Sequence, residues 1–153
     1  MNKYLLAFII FIIILTTGLL VLNAKNSFFG KKTDVKINGI AFTLDVADTE
    51  KKRENGLSGR ATLGEKQGML FVFDSPATPS FWMKGMKFPL DILFIKDNKI
   101  VTIYENIPAL DEKKTSQAVF YQPTSPVNRV IELKAGSVKK HDIKEGQTVS
   151  ISL

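Results

Sequence analysis

Residues 81–94 read FWMKGMKFPLDILF and collect groups able to do chemistry: the chain's single tryptophan, a pair of lysines, and an aspartate heading an apolar run. In an extended segment successive side chains alternate between faces. Trp82 and Lys84 then share one face, and Phe81 and Met83 share the other and belong to a core. An indole beside an ammonium suits a small polar or anionic ligand. Asp91 leads a stretch that is apolar on both faces, so its carboxylate is desolvated and needs a partner. The candidates are Lys84, Arg53 and Arg60, the last two being two of only three arginines in the chain.

Each of these residues also has a purely structural reading. Trp82 can pack over a sheet, and Lys84 can pair with Asp91 or rest on the indole. Arg60 can tie its loop to the sheet, and Arg53 can act as a packing strut on a short helix. Glu132 then either partners Arg53 or faces solvent on an edge strand. Three functions follow. The first is a binding module, with Trp82 stacking on a ligand, Lys84 and Arg60 holding its polar group, and Asp91 fixing the lysine. The second is a protein-interaction domain whose motif residues only lock the fold. The third is an enzyme using Asp91 as acid or base, with Lys84 and Arg60 stabilising negative charge.

What is missing narrows the chemistry. There is no cysteine and a single histidine, His141, so a zinc or copper site of imidazole and thiolate is excluded and no metal is expected. No phosphate loop, dinucleotide glycine pattern or nucleophile elbow is present, and no cofactor is implied. Asp111-Glu112 reads as solvated loop surface. The formal charge of +6 comes without a basic arm or an arginine–aromatic stripe, which argues against nucleic acid as a partner.

The elements that must position these groups are mostly strands. Val35 and Ile37 lead through Asn38-Gly39, suited to a type I′ turn, into the alternating Ile40, Phe42, Leu44 and Val46. A helix of about two turns follows, capped by Asp48 or Thr49 and closed by Gly56. GMLFVF at 68–73 reads as a strand and 74–80 as a proline-bearing loop. Residues 90–96 and 99–105 form a second hairpin through Asp97-Asn98, its first strand central because both faces are apolar. AVFY (118–121) and VNRVIEL (127–133) read as strands. A helical turn, a bend at Gly146 and a last strand from Thr148 complete the chain. The expectation is a mainly β fold, an antiparallel sandwich or barrel with one or two short helices.

The N-terminus differs in character. Residues 5–22 are an uncharged run of 18, close to the ~20 residues that cross a bilayer and longer than the ~15 of a cleavable signal core. Residues 1–24 are therefore read as a transmembrane anchor, with removal as a signal and secretion as the alternative. Residues 25–32 form a basic linker and 33–153 a single domain. Positive-inside bias alone would keep the domain cytoplasmic, but long domains translocate largely regardless of charge, which favours the extracytoplasmic side.

The succession VADTEKKRENGLSGRATLGEKQGMLFVF, FWMKGMKFPLDILFI and VIELKAG resembles the bacterial and archaeal family called domain of unknown function 192, from roughly Ile40 to Ile151. The resemblance implies a β-rich, sandwich-like fold and frequent export, and supplies no activity. Family members usually carry Met after Gly-Leu and Asn-Thr after Phe-Trp-Met-Lys. Here those positions are Ser58 and Gly85-Met86, which removes two polar side chains beside the candidate site.

Overall fold

The first hairpin forms where its turn chemistry demands. Asn38 and Gly39 both take positive φ, 48° and 78°, as a type I′ turn requires. Strands β1 (Lys32–Ile37) and β2 (Ile40–Ala47) pair across it in antiparallel register, Val35 opposite Phe42. Helix α2 (Glu50–Asn55) follows, numbered after an N-terminal helix α1 (Lys3–Ser27). At its start the Thr49 hydroxyl accepts from the Lys52 amide, and it ends at Gly56 with φ of 50°. The remaining elements are β3 (Gln67–Ala77), β4 (Leu90–Lys96), β5 (Lys99–Ile107), β6 (Val127–Lys134), α3 (Ser137–Lys140) and β7 (Val149–Ser152).

The structure is a computed structural model that describes residues 2–27, 30–110 and 117–152, without the side chains of residues 7 and 17–27. The Asp111-Glu112 pair lies outside the described residues. The chain divides into two units, Met1–Gly30 and Lys31–Leu153. The first contains α1. The expected membrane-crossing helix finds no support there: among the described residues no helix is long and apolar enough to cross a membrane.

The second unit is a curled seven-stranded sheet in the order β5-β4-β6-β3-β2-β1-β7. Its edges meet where Ile100 donates to the Gln147 carbonyl at 3.0 Å and Val149 to that of Asn98 at 2.8 Å. The inner face holds a core that includes Val35, Phe42, Leu44, Leu70, Leu93, Ile131 and Val149. The sheet is mixed rather than antiparallel throughout, because β2 and β3 run parallel. The segment that carries α2 between them is long enough for the crossover a parallel pair needs.

Three local expectations change. β3 continues to Ala77 through Pro76, across a register shift between Val72 and Ala77 that leaves the proline outside the β6 ladder. AVFY forms no strand; Tyr121 makes one isolated bridge, to Phe81. VNRVIEL is no edge strand, since β6 lies between β3 and β4.

Asp91 is fully buried, as its place in an apolar strand demands. Its partners are not Lys84, Arg53 or Arg60. Oδ1 accepts from the Asn106 amide at 2.8 Å and Oδ2 from the Val138 amide at 2.9 Å. The carboxylate thus ties β4 to the end of β5 and the first turn of α3. Backbone amides can satisfy a buried carboxylate without a counter-ion. Asp91→Asn keeps the shape but presents an NH₂ to one of those amides, and a buried charged hydrogen bond is worth about 1.5–3 kcal/mol. We expect the variant to be destabilised by about 2–4 kcal/mol in urea unfolding; an unchanged midpoint would show that the tie holds nothing.

Candidate functional site

The outer face of the sheet carries a row of side chains set by register: Asp45 on β2, Met69 on β3, Glu132 on β6 and Ile92 on β4. Phe71, Val130 and Phe94 form the adjacent row. Phe81 packs onto that second row edge-on, its ring 4.9 Å from Phe71 and 5.7 Å from Phe94. It is held in place by a pair of hydrogen bonds with the Tyr121 backbone. Met83 and Met86 are buried, while Trp82 and Lys84 are exposed, so the alternation read from the sequence holds.

Between this covering segment, the end of α2 and the sheet lies a cavity of about 620 Å³. Its apolar walls include Leu57, Phe71, Phe73, Phe81, Trp82 and Met86; Arg53, Glu54, Asn55, Ser58 and Lys84 also line it. Ligand sites of this size commonly combine apolar walls with a few polar groups.

At the sheet lies Glu132, only 6% exposed, whose Oε2 is buried without a hydrogen-bond partner. Burial pushes its carboxyl from the ordinary 4.5 up to about 8, and only the positive charge of Arg60 works the other way. From the sequence this residue reads as a partner for Arg53 or as a solvent-facing group on an edge strand. The sequence carries only a weak signal: Val127, Ile131 and Leu133 share one mostly apolar face, whereas Asn128, Val130 and Glu132 share the other, so VNRVIEL reads as covered on one face only.

Of the candidate residues, the structure brings Trp82, Lys84 and Arg53 to the cavity and leaves Arg60 and Asp91 out of its lining. Trp82 is stacked with Phe120, rings 5.8 Å apart at 20°, and the Lys84 ammonium stands 5.0 Å from the indole centroid. Arg53 donates to the Val72 carbonyl at 2.8 Å, with its guanidinium over the Phe73 ring. Arg60 pairs with Asp45 at 2.6 Å, fastening its loop to β2. Ser58 and Gly85, two of the positions that depart from the family pattern, lie against each other. A Cβ at Gly85 would collide with the Ser58 hydroxyl, and Gly85 has a φ of 66°. Glycine at 85 lets the two loops close this tightly.

The raised carboxyl of Glu132 has a thermodynamic consequence. The folded protein keeps a proton that the unfolded chain releases above pH 4.5. That contribution to stability is complete below pH 4.5 and is lost as the pH rises through about 8. Glu132→Gln carries no such proton and should lose less stability as the pH rises. Urea unfolding should find it more stable than the parent by up to ~4 kcal/mol near pH 8, and much less so near pH 5. Parallel pH dependences in the two proteins would show that Glu132 is not held protonated.

The chain resembles two solved structures over most of its length. A proposed transcription regulator from Sinorhizobium meliloti 1021 matches at TM-score 0.70 and 32% identity, covering 79% of this chain and 94% of that one. A protein of unknown function from Novosphingobium aromaticivorans DSM 12444 matches at TM-score 0.68 and 28% identity, covering 78% and 83%. No curated protein sequence matches the chain. Residues 33–151 match the DUF192 family, described as "Uncharacterized ACR", and the chain belongs to that family.

Proposed function

We propose that the domain is a binding module for a small polar ligand, and that its site is the cavity between α2, the sheet and residues 79–86. The carrying observation is the unpaired Oε2 of Glu132 at a largely apolar cavity. A buried polar atom without a partner costs free energy, and a bound ligand is one way to supply that partner. Trp82, Lys84 and Arg53 border the same space and can hold the part of a ligand nearer solvent. We further propose, from the apolar run 5–22 alone, that the N-terminus tethers the domain to a membrane on the extracytoplasmic side.

The competing readings fare differently. An enzyme built on Asp91 lacks a reachable group, since that carboxylate is buried and bonded through both oxygens. The regulator label of the Sinorhizobium protein has little to rest on here: within Lys31–Leu153 the described helices have six and four residues, too short to serve as a groove-reading helix. A protein-docking role is the second reading. It is favoured by the exposed cluster of Trp82, Val119 and Phe120, of which Val119 and Phe120 are more than half exposed.

The test is a thermal-stability scan of the full chain against sugars, nucleotides, phosphorylated metabolites, organic acids and amines. A compound at ~100 times its Kd adds ~2.7 kcal/mol, a shift of several degrees in a domain of this size. Asn55→Trp places an indole at an exposed position of the cavity lining and should abolish the shift without lowering the unliganded Tm. A shift that survives Asn55→Trp would put the site elsewhere, and no shift from any class would favour the docking reading.

A further inference from the structure

Resting on the cavity as a binding site, we infer that its ligand is an amphipathic primary amine, with the ammonium at Glu132 and the apolar body against Phe71, Phe81 and Met86. The cations at the cavity are already engaged: Arg53 with the Val72 carbonyl and the Phe73 ring, Lys84 with the Trp82 ring. The polar group left without a partner is the Glu132 carboxyl, whose Oε2 bonds to nothing. While protonated it offers a donor and an acceptor; once ionised it offers acceptors alone, and its complement is then a donor. An anion would meet a carboxyl that becomes like-charged when it ionises. An alcohol can bond to Oε2 but gains no charge–charge attraction to the ionised carboxylate.

An ammonium does gain it. The electron-rich faces of the surrounding phenyl rings add cation–π attraction once water is displaced. Met86 and Leu57 supply apolar contact for a hydrocarbon body.

Proton bookkeeping makes the inference testable. The Glu132 carboxyl gives its proton to solvent, becomes a carboxylate, and pairs with an amine that is protonated throughout. The charged groups around it are Arg60, paired with Asp45, from the loop after α2 and from β2; Arg53 and Glu54 from α2; and Lys84 from the covering segment. Its cross-strand neighbours on β3 and β4, Met69 and Ile92, carry no charge. Burial shifts Glu132 into the neutral range, to about 8. Amine affinity should accordingly rise about tenfold per pH unit below that value and flatten as the pH reaches it.

The probes are benzylamine, benzyl alcohol and benzoate, titrated into the full chain and followed by NMR shifts of the cavity residues between about pH 6 and pH 8, where benzylamine is protonated. Benzylamine should bind roughly 50-fold more tightly near pH 8 than near pH 6, while benzyl alcohol should show no such rise. Glu132→Gln should remove the pH dependence for the amine and leave benzyl alcohol unaffected; if that variant does not fold, the profile of the parent chain decides. Binding of benzyl alcohol or benzoate as tight as that of benzylamine near pH 8 would overturn the amine and keep the cavity as a site. Shifts from none of the three would overturn the cavity itself.

Discussion

The constraint on which this fold turns is that its central strands are buried on both faces while carrying carboxyl groups. β4 is buried from Leu90 to Ile95 and β6 from Val130 to Leu133, and the two are hydrogen-bonded neighbours. Asp91 faces inward from β4 and Glu132 outward from β6. Moving a carboxylate out of water costs several kcal/mol unless something replaces the lost hydration. For Asp91 the replacement is a pair of backbone amides, from Asn106 and Val138. That solution needs no counter-ion and fixes the corner where β5 ends and α3 begins. For Glu132 no equivalent is built, and the group keeps its proton instead.

One wall of the cavity above Glu132 comes from the connection that breaks the antiparallel pattern. A parallel neighbour for β2 requires the chain to leave the sheet and return, and α2 and its loop lie on that excursion. The excursion is fastened at several points. Arg53 reaches the Val72 carbonyl, Arg60 reaches Asp45, and the Gly59 amide donates to the Gly85 carbonyl. The last links the loop after α2 directly to the segment bearing Phe81, Trp82 and Lys84. Two walls of the cavity are thus tied to each other and to the sheet. Ser58 and Gly85 meet at that seam, so departures from the family pattern that look separate in the sequence are neighbours in space.

What the sequence disclosed follows from how local each signal is. Asn38-Gly39 and Asp97-Asn98 dictate two-residue turns through their own backbone preferences, and all four take positive φ. Thr49 and Gly56 bound α2 for equally local reasons. The alternation across 81–84 correctly divided exposed Trp82 and Lys84 from buried Met83. The parallel pairing of β2 with β3 was not legible, because register between strands separated by a crossover is set by distant packing. For the same reason Asp91 was assigned a cation: nearby sequence offered arginines and lysines, whereas the amides that bind it arrive from residues 106 and 138. The carboxylate that by sequence most needs a counter-charge is satisfied by backbone amides instead.

Glu132 shows the opposite relation. Its row on the outer face runs through Met69 and Ile92, and an apolar side chain of similar volume would suit those neighbours. Replacing a buried, unpaired charge-bearing group by such a residue commonly stabilises a protein. Structural need alone therefore favours leucine or methionine at this position. The carboxyl instead sits beside a cavity walled by aromatic rings, kept protonated by burial, with Arg60 close enough to temper that shift. Local rules are broken most often where a function is served. A carboxyl that loses its proton only when a positive partner enters, or when the pH rises toward 8, is poorly suited to holding a sheet together and well suited to recognising a cation.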